Sequence, residues 1–211
     1  MKIKFIFIIT MTCFLSITTY GQYGKVGIKF GSGISTFQSL DNGDTNFKYT
    51  PSVGISFKFS KNQLEKVALQ TELYYTKKGA SAFYNINNLF VGDVRFNLHY
   101  IEAPILLNLK AGRLFQFEAG VYGSLLLDSD FDFNGTFFTG LGDINEVNLN
   151  DIDYGIVLGF GVSIPRGTIS FRYQHGLNDV HNNNLAFPYL DGARNGTFTV
   201  SISRFFGFKR R

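Results

Sequence analysis

Hydrophobic side chains recur at every second position through most of this chain, and this period constrains the fold more than any other feature. Between residues 52 and 58, Val53, Ile55 and Phe57 alternate with serine, glycine and lysine. Successive side chains of a β-strand point to opposite faces, whereas a helix would space its apolar residues three or four positions apart. The chain is therefore predicted to consist of strands with one apolar and one polar face.

The same period marks eight segments of the sequence. They lie near residues 26–34, 52–60, 67–77, 95–110, 115–127, 153–164, 169–174 and 197–206. The predicted connections run about 38–50, 60–65, 79–94, 111–113, 128–151, 165–167 and 180–195. They alternate between long and short, and the short ones contain turn-forming residues. This order fits an antiparallel meander with its long loops at one end and both termini at the other.

The two faces of the strands indicate which solvents they meet. The apolar face extends over segments of about 10 residues, the length that a tilted transmembrane strand needs. The polar face is crowded with small residues, as the interior of a narrow barrel requires. Hydrocarbon also demands a closed sheet without unpaired edges. We therefore predict an all-β, eight-stranded antiparallel up-and-down transmembrane β-barrel, with a soluble periplasmic or secreted β-protein as the alternative.

The first residues are predicted to form a signal peptide, residues 1–21, followed by the barrel domain, residues 22–211. Lys2 and Lys4 precede an apolar stretch that is short for a membrane span. An N-terminal anchor helix is the alternative. The lone cysteine, Cys13, lies inside this leader. A mature chain without cysteine has no disulfides, thiol catalysis or cysteine-based metal sites.

Charged residues interrupt the polar face on seven of the eight predicted strands. They are Lys29, Lys58, Glu72, Glu102, Glu118, Asp153 and Arg172. Charges of both signs are tolerable in a narrow interior when they pair with one another. We predict that they form a barrel-interior charge cluster with a structural role in a filled lumen. A conduction or proton path is the alternative, although eight strands enclose little more than their own side chains.

The segment YIEAPILLNLK, residues 100–110, shows how both faces share one strand. Its odd positions carry the predicted lipid-facing row, and Glu102 belongs to the interior row. Pro104 also belongs to the interior row, and its missing N–H predicts a bulge or a local break in the ladder. The apolar residues Phe96 and Leu98 upstream occupy the opposite phase, which supports such a break.

Several stretches together resemble a known family. They are GIKFGSGIS, LQTELYYTKKGA, YIEAPILLNLK, FEAGVYGSLLL, DYGIVLGFGVSI, FRYQHGLNDV and TFTVSISRFFGF. In these stretches the chain resembles the PorT-like outer-membrane β-barrel proteins of Bacteroidota. The resemblance implies an eight-stranded barrel in the cell outer membrane. The named member of that family is tied to protein secretion and gliding machinery, whereas most others have no assigned activity. One departure is that Phe208 is followed by three cationic residues rather than ending the chain.

The sequence offers little support for catalysis, and we predict a non-enzymatic protein with no catalytic residues. Its histidines are His99, His175 and His181. His175 with Asp179, or His99 with a nearby serine, would be needed for a barrel hydrolase acting on lipid or peptide at the rim. That hydrolase is the alternative function, but no spacing specifically indicates it.

No cofactor or metal site is predicted. The stretch Asp128–Gly135 carries acidic residues at alternate positions but lacks the glycine and glutamate of a calcium-binding EF-hand loop. We interpret it as a solvated external loop that divalent cations could bridge to lipopolysaccharide phosphates. The expected partners are outer-membrane lipid and lipopolysaccharide, the barrel-assembly machinery and an envelope protein complex. The net charge of +4 without a central basic patch argues against nucleic acid.

Overall fold

The computed structural model describes residues 23–38, 44–61, 66–86, 90–135, 149–180 and 192–209. The predicted signal peptide and His181 lie outside these ranges. The strands are β1 (Tyr23–Gln38), β2 (Asp44–Asn46), β3 (Lys48–Ser60), β4 (Val67–Lys78), β5 (Ser81–Ile86), β6 (Phe90–Ala111), β7 (Phe115–Gly135), β8 (Ile152–Ile164), β9 (Gly167–Gly176) and β10 (Arg194–Lys209). Among the described residues, no helix has the length and hydrophobicity that a membrane span requires.

Eight of these strands close into an antiparallel barrel. Around the barrel the order is β6, β4, β3, β1, β10, β9, β8 and β7, and β7 pairs back with β6. Barrel strands that follow one another in the chain are neighbours, and the first, β1, pairs with the last, β10. The predicted eight-stranded up-and-down barrel is confirmed. The short strands β5 and β2 extend the sheet beyond β6 at one end.

The two ends of the barrel differ in the length of their connections. One end, here called the turn end, carries both described chain ends and the connections 61–66, 112–114 and 165–166. The opposite end, the loop end, carries the longer connections. The predicted loop at 79–94 is wrong, because β5 and the start of β6 form a hairpin there.

The acidic stretch Asp128–Gly135, predicted as an external loop, also belongs to a strand. It continues β7 and pairs with residues 92–99 of β6. Its alternating aspartates are the two-residue period of a strand, and the usual preference of aspartate for turns concealed that period.

The distribution of side chains shows which face of the barrel meets hydrocarbon. Large apolar side chains point outward, and Ile105 in the middle of β6 is 49% exposed. The inward positions hold buried polar and charged side chains such as Asn108 and Gln116. An apolar belt around a polar interior is the pattern of a membrane barrel. A ligand-binding cup in water would have the opposite arrangement.

Pro104 interrupts the ladder on one side of β6 only. It stands opposite Tyr122 in an unbroken β6–β7 register, so the predicted bulge at this residue is wrong. On the other side, the β4–β6 pairing omits Ala103 and Pro104, which confirms the predicted ladder break. The register shift lies instead between His99 and Tyr100, where Leu127 of β7 is the extra residue.

The apolar residues of β6 on the loop-end side of this register shift point inward, like Glu102. The predicted change of face along this strand is therefore wrong. Phe96, Leu98 and Tyr100 are all buried. Together with residues from other strands and connections they form an apolar plug inside the loop end. Its members are Phe37, Ala80, Phe96, Leu98, Tyr100, Val180 and Ala193. The interior of the barrel is therefore polar in its middle and apolar near the loop end.

The turn between β8 and β9 contains a strained residue. Arg166 has φ of 62°, in the left-handed region that glycine adopts most readily. We expect Arg166→Gly to stabilise the barrel by about 1 kcal/mol, because the left-handed conformation costs an L-residue about that much. Urea-induced unfolding in lipid vesicles measures the change. Arg166→Ala is the matched control, since it removes the same side chain and keeps the strain. Equal stability of the two variants would contradict this explanation.

Candidate functional site

The centre of the barrel contains an ion-paired group here called the Arg172 cluster, made of Lys29, Glu72, Glu118 and Arg172. Both terminal nitrogens of the Arg172 guanidinium donate to Glu72, at 2.7 and 2.9 Å. Its Nε donates to Glu118 at 2.5 Å. Lys29 Nζ donates to Glu72 at 2.7 Å. One guanidinium on β9 thus joins two carboxylates from β4 and β7, and it binds Glu72 in the fork geometry that makes arginine–carboxylate pairs strong.

A second group, the Lys78 cluster, lies between this centre and the apolar plug. Lys78 Nζ is 2.5 Å from a Glu102 oxygen and 3.4 Å from Asp153 Oδ2. Asn195 donates to Asp153 at 3.1 Å, and the Ser124 hydroxyl donates to Glu102 at 3.2 Å. These neutral donors add hydrogen bonds to carboxylate oxygens that Lys78 also contacts, which lowers the cost of burying the charges.

Tyr74 connects the two clusters. Its hydroxyl donates to Glu102 of the Lys78 cluster and accepts a hydrogen bond from Gln174 at 2.9 Å. Its ring lies under the ammonium group of Lys29 in the Arg172 cluster, 4.3 Å from nitrogen to centroid. Cations are attracted to the negative face of an aromatic ring. The interior charges therefore form one continuous network rather than isolated pairs.

Six of the seven charged residues predicted from the sequence lie in these two clusters, and one lies elsewhere. Lys58 is at the turn end, where its Nζ donates to Gln116 at 2.8 Å. Lys78 is absent from the predicted set, although it continues the inward phase of Glu72, because the predicted strand ends one residue too early. Glu102 has this lysine as its cationic partner.

His99 does not form the serine–histidine pair of a hydrolase. Its Nδ1 shares a hydrogen bond with the hydroxyl of Tyr75, and its Nε2 is 3.4 Å from a carboxylate oxygen of Asp130. In the described part of the chain, no serine hydroxyl forms a hydrogen bond with this imidazole.

His175 and the acidic residues of the loop end also lack a catalytic or metal-binding arrangement in the described ranges. His175 packs beside the ring of Tyr173, with centroids 6.4 Å apart. Asp179, considered as its partner, pairs instead with Arg194 at 3.1 Å. Within those ranges no three His, Cys, Asp or Glu side chains are placed to hold a metal ion.

An apolar outer face around a charged interior is the pattern of transmembrane β-barrels. Comparison of the whole sequence with known protein families agrees with this pattern. Residues 21–182 match the family described as "Outer membrane protein beta-barrel domain". The chain belongs to this family. It is thus an outer-membrane protein, and the family match covers all the barrel strands except β10. No curated protein matches the chain.

Solved structures with little sequence similarity share the architecture. Neisserial surface protein A is 14% identical, with a TM-score of 0.50 over 86% of this chain and 97% of its own. Ail, the attachment invasion locus protein of Yersinia pestis, is 12% identical, with a TM-score of 0.44 over 87% and 99%. OprG from Pseudomonas aeruginosa is 11% identical, with a TM-score of 0.46 over 90% and 98%. At these identities the likeness concerns the fold alone.

Proposed function

We propose that this chain is a non-enzymatic outer-membrane barrel whose interior is closed to ions, and that it has a structural or accessory role in the cell envelope. The Arg172 cluster is the observation that carries this proposal. Its four residues come from β4, β1, β9 and β7, which are every second strand around the barrel. Side chains from four sides of the wall therefore meet at one level of the lumen.

The close contacts at this level support a closed interior. The nitrogen–oxygen distances within the Arg172 cluster lie between 2.5 and 2.9 Å, and the paired side chains are at most 3% exposed. An ion would have to separate charges that are buried away from water, which is unfavourable because each would lose its partner. The apolar plug adds a second barrier, since a dry hydrophobic constriction also opposes ion passage.

Ion flux through reconstituted barrels tests the proposal. Liposomes that carry the folded protein and an entrapped pH-sensitive dye are expected to pass protons and potassium no faster than empty liposomes. An open porin provides the positive control, and heat-modifiable gel mobility verifies that the barrel is folded and inserted. Reproducible conductance steps in a planar bilayer, or proton entry above the empty-liposome rate, would contradict a closed interior.

The resemblance to PorT-like proteins points to one specific accessory role, in protein secretion. In this proposal the barrel contacts lipopolysaccharide and lipid at its outer surface, is inserted by the barrel-assembly machinery, and joins an envelope complex linked to secretion. Chemical crosslinking in native outer membranes, followed by identification of the crosslinked proteins, tests it. Loss of secreted proteins on deletion of the gene would support the link, and unchanged secretion would contradict it.

A further inference from the structure

The turn end of the barrel contains a wide cavity, here called the basic vestibule. Its volume is about 740 Å³. Its lining includes six cationic residues, namely Lys25, Lys58, Lys66, Lys110, Arg113 and Arg166. Among the described residues no aspartate or glutamate lines it. A cavity of this size matches the range of ligand-binding pockets, about 300 to 1,000 Å³.

The cations of the vestibule differ from those of the interior in their partners. Lys29, Lys78 and Arg172 each contact at least one carboxylate. Within the described ranges, none of the six vestibule cations makes an ion pair with a carboxylate. Lys58 has a neutral partner, the amide oxygen of Gln116. Unpaired like charges around one opening repel one another, and an anionic ligand would remove that repulsion.

The positive charge belongs to the whole turn end rather than to a few residues. The described residues at this end, 23–25, 58–61, 66–68, 110–114, 164–168 and 204–209, include nine lysines and arginines and no acidic residue. The described residues at the loop end, 44–50, 77–86, 90–97, 128–135, 149–151, 176–180 and 192–194, include seven acidic residues and five lysines and arginines. The small net charge of +4 therefore conceals opposite charges at the two ends.

The backbone at Arg166 supports a role for its side chain. Type II turns require a positive φ at their third residue, where glycine is the usual choice. This turn holds arginine there, with φ of 62°. A cation is thus present at a position where glycine would be more stable.

The arrangement of the six cations indicates a ligand with several separated charges. Lys25, Lys58 and Lys110 are on β1, β3 and β6, and the other three are on turns, so the charges surround the opening. A single compact anion could contact few of them at once. In an extended peptide, side chains on one face are about 7 Å apart, which suits a row of carboxylates. Lysine ammonium groups on flexible stems adapt to such spaced charges.

We propose that the basic vestibule binds an acidic peptide segment of a partner protein in the aqueous compartment at the turn end. The cavity also offers Phe205, Ile164 and Ala68, whose apolar surfaces can contact the aliphatic parts of such a peptide. The vestibule reaches inward to the buried side chains of Gln116 and Thr168, whereas the exposed Arg204 points outward from β10. This inference does not depend on whether the interior conducts ions.

Binding of a labelled octaglutamate peptide to the folded full-length barrel in zwitterionic nanodiscs tests the proposal. Fluorescence anisotropy is expected to show binding that rising salt weakens, because salt screens exposed charges. An octaglutamine peptide should not bind. Combining Lys25→Gln, Lys66→Gln, Lys110→Gln and Arg113→Gln should weaken octaglutamate binding by about tenfold or more, since several charge contacts are lost together.

A matched pair of double variants separates the vestibule from general electrostatic attraction. Lys66→Gln with Arg113→Gln removes one lysine and one arginine at the turn end. Lys77→Gln with Arg95→Gln removes the same residue types at the loop end. The turn-end pair is expected to weaken binding by about threefold, and the loop-end pair should leave the affinity unchanged. Gel mobility before and after heating verifies that each variant is folded.

Several outcomes would overturn the proposal. One is equal octaglutamate affinity in the wild-type barrel and the fourfold variant, and another is equal weakening by the two double variants. Displacement of the peptide by inorganic phosphate, beyond the effect of chloride at the same ionic strength, would show that the site takes a compact anion. Loss of peptide binding in nanodiscs that contain phosphatidylglycerol would show that lipid headgroups occupy the cations.

Discussion

Arg172→Ala is expected to lower the free energy of unfolding by about 3 to 5 kcal/mol, because it leaves buried carboxylates without their cation. The Arg172 side chain is 2% exposed, and its guanidinium donates to both Glu72 and Glu118. Lys29 would remain beside Glu72, but Glu118 would lose its cationic partner within the cluster. Equilibrium unfolding by urea in lipid vesicles, monitored by tyrosine fluorescence and gel mobility, measures the loss.

Two further variants show whether the loss comes from unpaired charge. Arg204→Ala removes an exposed arginine from β10 and is expected to change stability by less than about 0.5 kcal/mol. Combining Arg172→Met with Glu118→Gln removes the unpaired carboxylate, keeps the Lys29–Glu72 pair and should recover most of the stability lost in Arg172→Ala. A barrel that tolerates Arg172→Ala as well as Arg204→Ala would show that the Arg172 cluster contributes little to stability.

Ile105→Arg is expected to lower the free energy of unfolding in a bilayer by about 2 to 4 kcal/mol. Ile105 points outward from β6 and is the middle residue of the row Ile101, Ala103, Ile105, Leu107 and Leu109. A guanidinium at that depth must be buried in hydrocarbon or reach toward a distant interface, and both are unfavourable. Urea unfolding in vesicles of one defined lipid measures the change.

Leu109→Arg provides the depth control for this measurement. Leu109 ends the same outward row close to the turn end, where an arginine side chain can reach the headgroups. Its expected cost is about 0 to 1 kcal/mol. Equal losses of stability in Ile105→Arg and Leu109→Arg would mean that these two positions do not lie at different depths in a bilayer. The comparison therefore tests the orientation of the barrel wall independently of the charges inside it.

The barrel and the direction of most side chains could be predicted from the sequence because both follow from a two-residue period. This period separates Ile105 from Glu102 without knowledge of the neighbouring strands. It also contained the signal for Lys78, which has the phase of Glu72. The predicted strand ended at residue 77, just before Lys78, and the preference of aspartate for turns concealed the continuation of β7 through Asp128 and Asp130.

The pairing of charges could not be predicted, because the period fixes the face of a residue but not its height in the barrel. Height depends on the register between strands, which each turn and bulge sets. Glu102 therefore meets Lys78 at its own level, whereas Arg172 reaches Glu72 at another. Phe96 and Leu98 show a related difficulty, since an apolar side chain suits both hydrocarbon and a dry plug.

The sequence separation of the central ion pairs has a consequence for assembly of the barrel. Arg172 is 100 residues from Glu72 and 54 from Glu118. Both carboxylates therefore lie far from Arg172 in the chain, and they meet it only when β9 takes its place in the wall. Contacts between such distant segments form late, since the intervening chain must first be ordered. Neutralisation of the interior thus coincides with arrival of the last strands, and a barrel that fails to close retains unpaired carboxylates that oppose its burial in the bilayer.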